Sequence, residues 1–96
     1  MARGALRLRT ADGKVNQLAS RVRERRTHLK LTQDALCARL ALATSGVWNA
    51  DRMEIYRIES GIRIVSDLEI IALAEALECQ PMWLFLGEKP TSSSSK

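Results

Sequence analysis

The sequence is poor in the residues that build secreted scaffolds, membrane spans and metal centres. Its 96 residues include two cysteines, one histidine, two tryptophans, one tyrosine and one phenylalanine. Cys37 and Cys79 are too few for a disulfide framework, so we expect reduced thiols that serve as small core residues. No apolar run approaches the roughly 18 residues of a membrane helix, and no secretion signal begins the chain. We therefore expect a cytoplasmic protein without membrane, metal or cofactor.

The histidine adds no catalytic signal. His28 falls in a helical segment, where a surface position is expected, and no nucleophile, acid pair or ligand cluster is assembled around it. The sequence therefore does not predict an enzyme.

Charge is distributed unevenly along the chain. Residues 1–40 hold ten basic and three acidic residues (net +7), whereas residues 41–96 hold five basic and eight acidic residues (net −3). A basic half indicates a polyanionic partner such as nucleic acid. The alternative at this point is a solvated basic helix face.

The pattern divides the chain into three regions. Residues 1–16 lack an apolar period and are interpreted as a flexible basic arm, and residues 88–96 form a polar, serine-rich tail that we expect to be disordered. The folded unit is then expected over 17–87. The arm either stays solvated or contacts DNA, as N-terminal arms of some DNA-binding proteins do. Its candidate contacts are Arg3, Arg7 and Arg9.

Two helices are predicted in the basic half. The first runs from Asn16, a candidate N-cap, to about Lys30, and Arg26 falls in its apolar stripe. A charge in such a stripe needs a partner, because an unpaired buried charge is costly. The second helix is expected over 32–43, behind the N-cap Thr32.

Three more helices are predicted in the acidic half. The third spans 51–60, where Asp51 and Glu54 resemble a capping box and Gly61 supplies a left-handed end. The fourth starts at the capping box of Ser66 and Glu69, and apolar residues around most of its circumference predict a central buried helix. They are Leu68, Ile70, Ile71, Leu73, Ala74 and Leu77. A short fifth helix follows over 81–86, between Pro81 and Gly87.

The second and third helices carry the functional signal. A short helix, a turn and a helix with a polar exposed start form the helix-turn-helix pattern. The major groove of B-DNA is about 12 Å wide and admits one α-helix. The residues of the third helix opposite Ile55 and Ile58 would face the groove; they are Arg52, Met53, Tyr56 and Arg57.

Several runs, in order, resemble the phage-repressor-type (Cro/XRE) helix-turn-helix domain. The run 18–36 is similar to its opening, Arg57-Ile-Glu-Ser-Gly61 to the end of its recognition helix, and 71–77 with 81–84 to its last two helices. The resemblance covers 17–87. It implies an all-α, five-helix lambda-repressor-like bundle that binds double-stranded DNA sequence-specifically, regulates transcription as a repressor, and acts as a homodimer.

The resemblance also implies roles for single residues. Arg26 and Glu59 match the pair that forms a buried ion pair between the first and third helices. Gln33 matches the glutamine that contacts the DNA backbone and braces the recognition helix, and the N–H groups at Thr32 are candidate phosphate donors. Arg52, Met53 and Arg57 match base-reading positions, and Arg63 lies where the family commonly contacts phosphate. For Tyr56 the alternatives are a contact to a phosphate or sugar and a half-exposed packing position.

The sequence departs from the family at two points. Residues 41–50 make the connection between the second and third helices longer than the usual turn of about 3–4 residues. Trp48 in that connection is expected to cover the core, although a protruding loop that tilts the recognition helix or touches DNA is the alternative. Glu54 would repel phosphate on a DNA face, although a carboxylate can accept a hydrogen bond from cytosine N4. We expect its carboxylate to turn back to the Asp51 N–H instead.

A second function remains open. The chain is either a DNA-binding regulator or a protein-interaction module such as the antitoxin of a toxin–antitoxin pair, which shares this fold. Trp83, Phe85 and Leu86 are the candidate dimer surface, or else they complete the monomer core.

Overall fold

Five α-helices form the part of the chain, residues 8–87, that the computed structural model describes. No strand occurs within those residues. The predicted all-α bundle of five helices is confirmed. The helices are α1 (Ala19–His28), α2 (Gln33–Ala43), α3 (Arg52–Glu59), α4 (Asp67–Ala76) and α5 (Pro81–Leu86).

Local capping chemistry sets the helix boundaries. The Thr32 hydroxyl accepts the N–H three residues on at 3.0 Å, at the start of α2. The capping box of α4 is complete, because Ser66 Oγ accepts from the Glu69 N–H and the Glu69 carboxylate accepts from the Ser66 N–H. Pro81 occupies the first turn of α5, and Gly87 ends it in the left-handed region at φ 79°. These predicted boundaries are confirmed.

One apolar core joins all five helices. α3 packs against α1 and α2, while α4 packs between α2 and α5. Full burial of large aliphatic side chains is the main favourable term for such a small domain. The fully buried side chains are Leu18, Val22, Leu36, Leu40, Ile55, Ile58, Leu73, Leu77 and Leu84.

Asn16 has a different role from the one predicted. The prediction that it caps a first helix running to about Lys30 is wrong, because α1 begins at Ala19 and ends at His28. The buried Asn16 amide instead donates to the carbonyls of Ile58 and Arg63, at 3.1 and 2.9 Å. It therefore satisfies one backbone acceptor in the last turn of α3 and one in the segment that follows, as buried polar groups generally must.

The segment before α1 is hydrogen-bonded to the folded unit through Val15. The Val15 N–H donates to the Gly61 carbonyl at 2.8 Å, and Gly61 adopts φ 77°, as a left-handed helix end requires. The predicted division of the chain at residues 16/17 and 87/88 stays a prediction. Residues 1–7 of the arm, with Arg3 and Arg7, and the tail 88–96 lie outside the described residues.

α4 is less buried than its composition predicted. Leu73 and Leu77 are fully buried, but Leu68 is 75% and Ile71 is 55% exposed. The prediction of a helix buried around most of its circumference is therefore wrong. α2 and α5 cover two sides of α4, and the side that carries Leu68 and Ile71 faces solvent.

The connection between α2 and α3 is long, as predicted. It follows Ala43 and includes a tight bend at Ser45 and Gly46, both with positive φ. Val47 at the tip is 87% exposed, whereas Trp48 packs partly buried against the core. Trp48 thus covers the core, as predicted from the sequence.

Both cysteines are free and partly buried against the core. Burial raises the pKa of the Cys37 and Cys79 thiols above the ordinary value. Within residues 8–87, no group of three metal-ligating side chains occurs, and none of the described helices has the length and apolarity needed to cross a membrane.

A nearly buried ion pair ties α1 to α3. Arg26 Nε donates to Glu59 Oε2 at 2.6 Å and Arg26 Nη2 donates to Glu59 Oε1 at 3.1 Å. The side chains are only 12% and 5% exposed. The bidentate geometry and the low exposure make each partner necessary to the other, because either charge alone would be nearly buried without an opposite charge.

We expect Arg26→Ala or Glu59→Ala to lower the free energy of unfolding by about 3–5 kcal/mol, because each strands the other charge. Urea denaturation measures the loss. The matched control is Asp34→Ala, which removes one partner of the exposed Asp34–Arg52 pair and should cost under about 1 kcal/mol. Losses near zero for both Arg26→Ala and Glu59→Ala would contradict the structural role.

Candidate nucleic-acid interface

The starts of α2 and α3 lie side by side on one surface. Asp34, in the first turn of α2, accepts two hydrogen bonds from Arg52, at the start of α3, with N···O distances of 3.3 and 3.1 Å. Thr32 and Gln33 border the same surface depression as this pair. The structure therefore brings the residues expected to contact the DNA backbone next to the first residue expected to contact a base.

α3 presents one face to solvent and buries the other. Ile55 and Ile58 are fully buried. On the opposite side, Met53 and Tyr56 are each 51% exposed, and Arg52 and Arg57 are also exposed. The face combines two guanidinium groups, a thioether and a phenol, which are the kinds of group that contact base edges and phosphates in a groove.

Gln33 braces α3 from α2. Its Nε2 donates to Glu59 Oε1 at 3.2 Å, on the oxygen that also accepts from Arg26. The Glu59 carboxylate thus receives hydrogen bonds from α1 and α2. The C-terminal end of α3 is therefore fixed against both α1 and α2.

Arg63 lies between two carboxylates. Its Nη2 donates to Glu54 Oε2 at 2.8 Å, and its Nη1 and Nη2 donate to the two Glu69 oxygens at 2.9 and 3.0 Å. The Arg63 side chain is 22% exposed, and its guanidinium lies 5.6 Å from the centroid of the Trp48 ring. We call Arg63, Glu54, Glu69 and Trp48 the Arg63 cluster.

The Arg63 cluster corrects the prediction for Glu54. Asp51 does accept the Glu54 N–H, at 2.8 Å, but the Glu54 carboxylate does not return to the Asp51 N–H. It pairs with Arg63 instead, where both the donor and the acceptor are charged. Donation by Arg63 holds the pKa of the Glu69 carboxyl below its ordinary value, and the same contact raises the pKa of Arg63.

The cluster also bears on the expected phosphate contact of Arg63. Both terminal nitrogens are engaged with carboxylates, so the guanidinium is not free to bind a phosphate without breaking these pairs. Sequence reasoning missed the cluster because its members belong to the connection, α3, the following turn and α4. The only signal was the acidic Glu54 on a helix expected to face DNA.

A helix-turn-helix whose second helix exposes a polar, partly basic face defines a DNA-binding regulator. The comparisons with known proteins agree with this class. The high-resolution crystal structure of the restriction-modification controller protein C.AhdI from Aeromonas hydrophila is similar, with a TM-score of 0.54 and 35% sequence identity. The match covers 71% of this chain and 91% of C.AhdI.

No protein-family model and no curated protein matches the sequence. At this identity and coverage, the chain belongs to the same family of helix-turn-helix controller proteins as C.AhdI. It is a DNA-binding regulator in the general sense, and the similarity is to a regulatory protein, not to an enzyme.

The depressed pKa of Glu69 predicts a pH dependence of stability. The unfolded carboxyl titrates near 4.5, so the contribution of Glu69 is present above that pH and is lost as the pH falls through the lower folded value. We therefore expect Glu69→Gln to destabilise the protein at pH 7 and to do so less at pH 3. Urea denaturation across this range measures the difference from wild type.

The matched control is Glu75→Gln, which removes one exposed carboxylate from the same helix. If Glu69→Gln lowers the free energy of unfolding by the same amount at pH 7 and pH 3, the lowered pKa of Glu69 is contradicted. If the loss of stability becomes smaller at pH 3 for Glu69→Gln but not for Glu75→Gln, the lowered pKa of Glu69 is supported.

Proposed function

We propose that the protein is a sequence-specific regulator of transcription that inserts α3 into the major groove of double-stranded DNA and acts as a repressor. The observation that carries the proposal is the exposed face of α3, with Arg52, Met53, Tyr56 and Arg57, beside the start of α2. A folded unit over 17–87 with a basic arm before it is part of the proposal.

Arg52 and Arg57 are the proposed base-reading residues. A guanidinium fork matches the O6 and N7 acceptors of guanine, and a contact of this kind is worth about 1–3 kcal/mol of discrimination. The Arg52–Asp34 pair is no obstacle, because both side chains are about two-thirds exposed and such pairs contribute about 0–1 kcal/mol. Met53 is suited to a thymine methyl group, and Tyr56 to a phosphate or sugar.

The start of α2 is the proposed contact to the DNA backbone. The first N–H groups of a helix are unpaired within it and carry a partial positive charge, which favours a phosphate. Thr32 and Gln33 lie at this start, and Gln33 also holds Glu59. Arg63 is left out of the proposed phosphate contacts because its nitrogens are engaged with Glu54 and Glu69.

We also propose a homodimer, which would place two copies of α3 on half-sites about one helical turn apart. Of the three candidate residues on α5, Trp83 packs partly buried against the core. Phe85 and Leu86 are 42% and 48% exposed, which supports them as the contact between copies.

The similarity to C.AhdI supports gene control as the task, and control of restriction–modification genes is the specific form that it favours. A cytoplasmic location stays a prediction. The interaction-module alternative, such as an antitoxin, also stays a prediction, and a failure to select any DNA site would favour it.

Selection from random duplex DNA tests the proposed function. We expect wild-type protein to enrich one palindromic site, and Arg52→Ala or Arg57→Ala to change the bases enriched. Each phosphate contact should add about −0.9 to the slope of log K against log salt. Arg23→Ala, at an exposed position of α1, is the control for loss of one positive charge. Wild-type protein that enriches no sequence would contradict the proposal.

Equilibrium sedimentation tests the dimer. We expect Leu86→Glu to shift the protein towards monomer, because a buried unpaired charge disfavours an apolar contact. Leu42→Glu makes the same change at an 82% exposed leucine of α2 and should leave the dimer intact. A wild-type monomer at micromolar concentration, or a dimer unaffected by Leu86→Glu, would contradict this surface.

A further inference from the structure

The first turn of the recognition helix α3 is ion-paired to an arginine that lies outside the helix. Glu54 lies two residues after Arg52 and one after Met53, in the first turn of α3. Its carboxylate is bound by Arg63, which lies outside the helix. Any movement of this turn relative to Arg63 would stretch a 2.8 Å ion pair.

Arg63 is itself fixed from several directions. Its guanidinium also binds Glu69, whose carboxylate completes the capping box of α4, and its backbone carbonyl accepts from the buried Asn16 amide. The Trp48 ring, from the connection between α2 and α3, lies under the guanidinium at 5.6 Å. Arg63 therefore joins the start of α3 to the start of α4 and to the connection.

This linkage matters because the long connection restricts the angle between α2 and α3 less than a short turn would. In a helix-turn-helix with a turn of about 3–4 residues, the turn itself restricts the angle between the helices. Here α2 ends at Ala43 and α3 begins at Arg52, so the longer connection restricts that angle less and side-chain contacts become more important. Arg26 and Gln33 fix the end of α3 through Glu59. The Arg63 cluster fixes its start.

The charges in the cluster favour the same role. Two carboxylates surround one guanidinium, so the cluster carries a net negative charge and offers no free cation to a phosphate. Removing Arg63 would leave Glu54 unpaired beside the proposed DNA face, where it would repel phosphate.

We propose that Arg63 is a positioning residue for DNA recognition, which sets the orientation of the α3 start by pairing with Glu54 and Glu69 over Trp48. The inference rests on the proposed function. The two roles of Arg63 can be distinguished by one measurement. A positioning residue affects the selectivity between DNA sequences, whereas a phosphate contact affects the affinity for all sequences alike.

The test compares Arg63→Lys with wild type on two duplexes of equal length: the duplex that wild-type protein enriches, and a scrambled one. Lysine keeps the charge but cannot hold both carboxylates in a planar fork. We expect Arg63→Lys to reduce the ratio of the two affinities about tenfold or more while leaving the salt slope unchanged. Circular dichroism at the assay temperature verifies that each variant is folded.

A double-mutant cycle with Glu54→Gln identifies the route of the effect. If Arg63 acts through Glu54, the loss caused by Arg63→Lys should shrink to less than about threefold in the Glu54→Gln background. Losses that simply add in the two backgrounds would overturn the positioning role. This cycle does not depend on Arg63→Ala, a change that removes every contact of the side chain.

Two further outcomes separate the inference from the proposed function. If wild-type protein enriches a site but Arg63→Lys binds like wild type, and Arg63→Ala weakens both duplexes equally with a slope shallower by about 0.9, Arg63 is a phosphate contact and the inference is overturned. If wild-type protein enriches no site, the proposed function fails and the inference fails with it.

Discussion

The carboxylate of Glu59 is the contact on which the geometry of the domain depends. It is nearly buried at the end of α3, where Arg26 from α1 and Gln33 from α2 both donate to it. Three helices therefore share one charged group in a region otherwise filled by aliphatic side chains. A buried ion pair is a weak source of net stability, but it is specific about geometry, because only one arrangement of the helices satisfies every donor.

The same principle operates at the other end of α3. Its two glutamates, Glu54 and Glu59, point away from the exposed face and bind arginines of different elements. This arrangement gives each acidic group of a helix proposed to approach a polyanion a cationic partner. It also changes the meaning of the net charge, since Arg26 and Arg63 serve internal pairs, whereas Arg57 and the loosely paired Arg52 remain exposed on the face of α3.

The parts that sequence predicted well are those governed by neighbours along the chain. Thr32, Ser66 and Gly87 act within three or four residues of themselves, so their caps can be inferred from spacing. The partner of Arg26 came from the charge in an apolar stripe together with the family resemblance. Asn16 and Arg63 could not be assigned in this way, because their partners depend on how the helices meet. The exposure of Leu68 was missed for the same reason: composition does not reveal which sides of α4 its neighbours leave uncovered.

The long connection between α2 and α3 has a consequence for how this regulator can vary. Val47 at its tip contributes little to the core, and the bend at Ser45 and Gly46 is closed by local hydrogen bonds, including one from Asn49 to the Gly46 carbonyl. Loop length alters closure entropy only slowly. A change in the number of residues at the tip should therefore alter the free energy of folding only slightly, which makes the exposed tip the place where this loop can acquire new contacts.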